Sequence, residues 1–200
     1  MTDQAAGTGS KAGPAFYARS GGRAADWWTL LHPPYTVWHL SYAVLGAAVA
    51  PHRDWVALAA TVLAFFLAVG VAAHALDELN GRPLDTAISD QVLWVAAVLG
   101  LAGAAALGMA GVAWGAWALA LFVPVGVVVV LGYNLELFAG RLHTDVGFAV
   151  WWGGFPVVVG YVAQQPPLDW TQLVAAGGVT AAAAGTAYAQ RILSTPARRL

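Results

Sequence analysis

Long uninterrupted apolar stretches are the feature that most limits what this chain can fold into. Six such stretches each run for 17 to 22 residues. A helix needs about 20 apolar residues, and at least about 17, to cross the hydrocarbon core of a membrane. Uninterrupted runs argue against a membrane barrel, whose strands alternate apolar and polar residues. The sequence therefore predicts an all-α integral membrane protein with about six transmembrane helices in a bundle, over residues 34–50, 55–76, 91–107, 112–131, 146–162 and 173–189.

The overall composition supports the same class. Charged residues make up 10% of the chain and hydrophobic residues 60%. A soluble domain carries about 25% charged residues, so this chain has too few charges to cover a surface in water. The composition excludes a soluble globular protein, a disordered chain and a nucleic-acid-binding protein. The absence of cysteine from the sequence excludes disulfides and thiolate metal sites. Membrane lipids are therefore predicted partners.

The charged residues also divide and orient the chain. Residues 1–23 are predicted to be a disordered tail and residues 24–33 an amphipathic segment in the membrane interface. Residues 34–192 form one predicted transmembrane domain, and residues 193–200 a basic tail. Eight of the nine Lys and Arg residues fall on one side of a six-helix arrangement, and Arg53 falls on the other. Because positive residues favour the cytoplasmic side, the pattern predicts a plasma-membrane protein with both termini in the cytoplasm.

Three features within the predicted helices stand out. Pro156 lies in the middle of the fifth helix, where a proline frees a backbone carbonyl that needs another partner. His39 lies five residues inside the first helix, where it could bind a substrate or simply a backbone carbonyl. The small residues of 181–185 in the sixth helix favour close helix packing.

Most residues suited to catalysis or metal binding lie in two loops at the predicted cytoplasmic face. In the first, His74, Asp77 and Glu78 are spaced i, i+3 and i+4, which places them on one face of a helix. In the second, Tyr133 and Glu136 share a face in the same way. Ionisable residues at membrane depth usually mark functional sites, so one polar cavity open to the cytoplasm is predicted. The further polar candidates in these loops are Asn80, Arg82, Asp85, Arg141 and His143.

Four stretches, in this order and spacing, resemble the UbiA-type prenyltransferase superfamily of membrane enzymes. The sequence His-Pro-Pro-Tyr-Thr at 32–36 is similar to the start of the family's first helix. Residues 73–77 fall where the family has its first Asp-rich motif. The sequence Gly-Arg-Pro-Leu at 81–84, followed by Ile-Ser at 88–89, resembles the entry to the third helix. Residues 133–161 resemble the tyrosine loop and the helix that follows it.

The resemblance implies a helical bundle around a cytoplasm-facing cavity, in which a prenyl group passes from a prenyl diphosphate to an acceptor. Mg²⁺ would hold the diphosphate, because divalent cations bridge carboxylate and phosphate oxygens. Asp77 and Tyr133 match the family's motifs and are assigned catalytic roles. The substrate-binding residues implied are His39, Asn80, Arg82 and Arg141. The predicted metal ligands are His74, Asp77, Glu78, Asp85, Glu136 and His143.

Two departures from the family pattern leave other functions open. Typical members have about nine membrane helices, and residues 190–196 contain no acid where the family has its second Asp-rich motif. A homo-oligomer or a partner membrane chain could supply the missing helices. One alternative is a membrane enzyme that binds Zn, Fe or Mn, because mixed imidazole and carboxylate ligands suit these ions. The other is a membrane protein that binds an isoprenoid or lipid without catalysis.

Overall fold

The structure is a computed structural model, and it describes residues 17–166 and 169–197. Within these ranges the chain forms seven helices joined by turns, without a β-strand. The predicted N-terminal tail falls mainly on residues outside the described ranges, and the segment predicted for the interface coincides with the first helix. The helices are α1 (Arg23–Leu31), α2 (Pro33–Val49), α3 (Trp55–Leu79), α4 (Asp90–Ala113), α5 (Leu119–Asn134), α6 (Asp145–Ala163) and α7 (Trp170–Ala197).

Three of these helices, α3, α4 and α6, are long and apolar enough to cross a membrane. The all-helical class predicted from the sequence is therefore found in the described part of the chain. Helix α5 is apolar but has 16 residues, and α2 has 17, so both are close to the lower limit for a span. Helix α7 is longer, at 28 residues, but it is rich in alanine, glycine and threonine and is less apolar. Six membrane spans stay a prediction.

The boundary between α4 and α5 differs from the one predicted. The sequence placed a break between residues 107 and 112, whereas α4 continues to Ala113 and α5 begins at Leu119. Gly115 makes the turn with a backbone φ of 104°, a conformation that glycine adopts without a steric penalty. Residues 107–118 contain no charged side chain, so hydrophobicity alone could not locate the turn.

Both α3 and α6 contain a π-helical stretch, at Phe66–Ala73 and Ala149–Gly154 respectively. The wider turn of a π-helix leaves backbone groups with altered partners and occurs frequently at functional sites. Helix α4 packs against the π-helical stretch of α3, and α7 packs against that of α6. The two irregular stretches are therefore held by straight neighbouring helices.

Small residues let the helices approach each other closely. A side chain added at Gly46 of α2 would clash with the Val157 carbonyl of α6, and one added at Gly160 would clash with the Ala43 carbonyl of α2. Such small-residue contacts are typical of helix packing in membranes. The close packing expected in residues 181–185 is found at Ala183, which is buried, whereas the other face of α7 is open.

Candidate functional site

A cavity of about 620 Å³ lies among α3, α4, α5 and α6. One end of its lining contains Asp54, Trp114 and Gln165, and we call this end of the bundle the Asp54 end. The opposite end of the bundle, with the loops of residues 80–89 and 135–144, is called the Asp77 end. The volume falls within the range of about 300–1,000 Å³ that is usual for small-molecule sites.

The cavity is deep and apolar. Along α3 its lining runs from Val56 to Val69, a distance of about 20 Å at 1.5 Å per residue. The lining residues in the described part of the chain include no Arg, Lys or His. Apart from tryptophan indoles, their polar side chains are Asp54, Thr61 and Gln165, and Thr61 is already bonded to the Ala57 carbonyl at 2.7 Å. Polar groups able to meet a ligand therefore concentrate at the Asp54 end.

Three buried side chains close the other end of this cavity. We call Val69, Val130 and Trp152 the cavity floor, because they are the buried lining residues toward the Asp77 end of α3, α5 and α6. Trp152 is 5% exposed, and its ring meets the Tyr133 ring edge-on at a centroid distance of 5.4 Å. Tyr133 does not line the cavity. Trp152 therefore separates the apolar space from the polar residues beyond it.

Those residues form a compact group, which we call the polar cluster: Asp77, Tyr133, His143, Asp145 and Arg191. The His143 ring stacks on Tyr133 at 4.5 Å, and Arg191 contacts both His143 Nε2 and Asp145 Oδ1 at 3.3 Å. Asp77 and Asp145 lie close enough to Tyr133 to act on it electrostatically. The Tyr133 hydroxyl is buried and has no hydrogen-bond partner of standard geometry among the described residues. Among the described residues, the cluster contains two carboxylates and one guanidinium.

His39 has a structural partner. Its Nδ1 lies 2.9 Å from the Trp152 carbonyl oxygen. Pro156 lacks the N–H that an α-helix would direct to that carbonyl four residues earlier, so His39 supplies a donor from another helix. The sequence predicted a freed carbonyl at this proline, and the structure identifies the histidine that binds it. The bond also fixes the backbone beneath the Trp152 ring.

Glu78 is fully buried and holds the loop that follows α3. Its Oε1 accepts hydrogen bonds from the Thr86 N–H at 2.8 Å and the Thr86 hydroxyl at 2.9 Å, and its Oε2 accepts from the Leu84 N–H at 2.9 Å. Arg82 lies 3.9 Å away and adds a compensating charge. A buried carboxylate needs such partners. Both oxygens predicted to bind a metal are thus engaged by the chain itself.

Arg82 and Asn80 also have partners within the fold. The Arg82 guanidinium donates to the Thr86 and Ile88 carbonyls at 3.2 and 2.6 Å and pairs with Asp90. The Asn80 amide donates to the Asn134 carbonyl at 3.1 Å, which joins the ends of α3 and α5. Both residues predicted to bind substrate therefore stabilise the Asp77 end.

The remaining predicted residues are spread over the Asp77 end. His74 donates from Nδ1 toward the Gly70 carbonyl at 3.2 Å, and its ring stacks on His32 at 5.2 Å. Asp85, Glu136 and Arg141 are exposed. Of the predicted set, Asp77, Tyr133 and His143 meet in the polar cluster, and Glu136 lies at its edge with Oε1 3.8 Å from His143 Nδ1.

The predicted metal ligands are not gathered into one site among the described residues. Among the described residues, no group of three or more His, Asp or Glu side chains is arranged to hold an ion. The donor chemistry agrees, because Glu78 is committed to loop hydrogen bonds and Asp85 and Glu136 project into solvent. Bound Mg²⁺, Zn, Fe or Mn stays a prediction from the sequence.

Three residues of this region had no site role in the sequence-based prediction. They are Trp152, Asp145 and Arg191. No sequence pattern singles out Arg191, because its place beside His143 and Asp145 depends on how α7 packs against α6. Comparison of the chain with protein-family models, curated proteins and solved structures found no match.

Proposed function

We propose that this protein binds an isoprenoid or a similar long-chain lipid within a membrane, with the apolar chain in the cavity. The observation that carries the proposal is the cavity itself, which is deep, closed at one end and lined by apolar side chains. A pocket of this size whose charged and amide side chains lie at one end is suited to one amphiphilic molecule.

Exposed tryptophans support a membrane location. Trp55, Trp114, Trp117 and Trp170 are each more than 70% exposed and lie at the Asp54 end, where Trp and Tyr anchor membrane helices in the interface. On α4, exposed Trp94 lies 20 residues before Trp114, or about 30 Å, which equals the thickness of a hydrocarbon core. The distribution of Lys and Arg favours six spans in a plasma membrane, with the Asp77 end in the cytoplasm.

Prenyl transfer is the second candidate, and the polar cluster favours it. A buried tyrosine hydroxyl beside Asp77 lies directly behind the cavity floor, where the reacting end of a prenyl chain could meet an acceptor. The carboxylates of the cluster could hold a divalent cation that accompanies a diphosphate. Transfer depends on such a cation, whereas lipid binding does not.

A pair of adjacent substitutions on α4 tests lipid binding. Ala105 lines the cavity, whereas Ala106 is exposed and does not. Protein reconstituted in nanodiscs with an isoprenoid alcohol and examined by native mass spectrometry should retain about one ligand per chain. Ala105→Phe should reduce retention at least tenfold by filling the cavity, and Ala106→Phe should retain it. Equal retention by both variants would refute the cavity as the binding site.

Prenyl transfer has its own measurement. The protein is incubated with a prenyl diphosphate, with and without Mg²⁺, and diphosphate release is followed in the presence of membrane extracts that contain acceptors. Release that requires Mg²⁺ and is lost in Asp77→Asn would establish the transferase. Saturable isoprenoid binding without any diphosphate release would leave a lipid-binding protein.

A further inference from the structure

We infer that the cavity takes a single-chain lipid with an uncharged hydroxyl head, that the head lies at the Asp54 end, and that the chain terminus rests on Trp152. Trp152 then sets the longest chain that the protein accepts. This inference rests on the proposed lipid binding and adds the class of head, the orientation and a specificity-determining residue.

The charge of the lining decides the class of head. None of the described lining residues carries a positive charge, and the one charged lining side chain is the Asp54 carboxylate. A phosphate or diphosphate in the cavity would lie near this carboxylate with no cation of the lining to pair with it, because Arg53 at this end lies outside the lining, and an unpaired anion next to a like charge is costly. A hydroxyl can instead donate a hydrogen bond to a carboxylate or an amide oxygen.

The position of the polar groups decides the orientation. Asp54 Oδ1 accepts the Val56 and Ala57 N–H groups at 2.8 and 3.0 Å as the cap of α3, which leaves Oδ2 for another donor. Gln165 lies beside it, where its amide approaches the Trp114 carbonyl at 3.5 Å. The opposite end presents the hydrocarbon of Val69 and Val130 and the rings of Trp151 and Trp152. A lipid head placed there would lose its hydrogen bonds to water without replacement.

Trp152 is suited to limit chain length because it is fixed from both sides. Its carbonyl is bound by His39, and its ring is held edge-on against Tyr133. Closely packed side chains move little when a ligand binds. A lipid chain longer than the cavity therefore either leaves part of its length outside or forces the residues of the cavity floor out of position. Removal of the indole would bring the Tyr133 ring into the wall of the cavity.

Two substitutions should move the length limit in opposite directions. Trp152→Ala deepens the cavity and should raise the limit by at least one isoprene unit. Ala68→Phe, from a lining residue one position before the floor on α3, should lower it by at least one unit. Trp117→Ala is the matched tryptophan control, because this side chain is 77% exposed and is not part of the lining. General loss of folding cannot produce opposite shifts.

The experiment uses the full chain in nanodiscs and prenyl alcohols of two to six isoprene units with a photoactivatable group at the chain terminus. In the parent, saturable adducts should map to peptides that contain Val69 or Trp152. Prenyl diphosphates of equal length should compete at least tenfold more weakly than the alcohols. In Trp152→Ala, the longest accepted alcohol should place its adduct at Tyr133 or His143.

The possible outcomes separate the two proposals. Absence of saturable labelling by every alcohol would refute lipid binding and the inference together. Saturable labelling of the Asp54 end by the chain terminus, or equal competition by diphosphates, would refute the inference and leave lipid binding intact. An unchanged length limit in both Trp152→Ala and Ala68→Phe would likewise refute the inference alone. Opposite shifts with an unchanged Trp117→Ala control would support it.

Discussion

The two ends of this bundle differ in how their polar residues are used. At the Asp77 end, Glu78, Arg82 and Asn80 are engaged in hydrogen bonds that hold a loop and two helix ends. At the Asp54 end, few polar groups line one end of a long apolar cavity. The comparison shows that a concentration of charged residues in an apolar sequence can mark the place where the fold is stabilised, while a cavity is lined mainly by apolar residues such as alanine, valine and glycine.

Among the substitutions considered, Glu78→Ala should have the largest effect on stability. Glu78→Ala leaves the Thr86 and Leu84 N–H groups without a partner and Arg82 without its nearby buried carboxylate. Removing one partner from a buried charged network costs about 3–5 kcal/mol of unfolding free energy. Reversible denaturant unfolding in mixed micelles measures it. Glu136→Ala, at an exposed acid, is the control and should change little. A stable Glu78→Ala variant would show that this acid is available for a ligand after all.

The contact between α2 and α6 should rank second. Gly46→Ala places a methyl group against the Val157 carbonyl, and the backbone must move apart to accept it. Overpacking of this kind costs about 1–3 kcal/mol. Gly178→Ala on α7 is the matched control, because nothing lies within 4 Å of its added Cβ. That control should be neutral or slightly stabilising, since alanine favours a helix. Equal stability of both variants would contradict the close helix contact.

His39 should contribute less, because it makes one hydrogen bond. His39→Ala leaves the Trp152 carbonyl without its donor from α2, at a cost of about 1–3 kcal/mol. His52→Ala is an exposed control. If Trp152 forms the cavity floor, His39→Ala should also weaken discrimination between isoprenoid lengths. If His39→Ala is less stable but discriminates between isoprenoid lengths as the parent does, His39 has a role in packing only.

How far the sequence predicts this structure depends on the kind of signal. The apolar runs predicted the positions of the helices, because the tendency of a segment to leave water depends on its composition. They did not predict the turn around Gly115, because the residues before and after this turn are also apolar. Pro156 predicted an unsatisfied carbonyl, yet the identity of its partner required knowing that α2 packs against α6. The sequence could not show that Glu78 binds the loop after α3, because a carboxylate that accepts hydrogen bonds from N–H groups and one that binds a metal look the same in sequence. The positions of Trp152 and Arg191 depend on tertiary packing, so the sequence alone did not predict them.

Tyr133→Phe should have the smallest structural effect and is the sharpest test of whether the polar cluster does chemistry. The substitution removes only a hydroxyl that lacks a standard hydrogen-bond partner, so unfolding should change by less than about 1 kcal/mol. Isoprenoid alcohol binding should stay within twofold of the parent, because Tyr133 lies outside the cavity lining. If the protein transfers prenyl groups with this hydroxyl beside the reacting carbon, product formation should instead fall at least tenfold, or about 1.4 kcal/mol in the barrier. If the parent is active and Tyr133→Phe turns over at the same rate, Tyr133 has no catalytic role. If the variant binds the alcohol as the parent does but has lost turnover, the chemistry takes place at the Asp77 end and the lipid is recognised by the cavity.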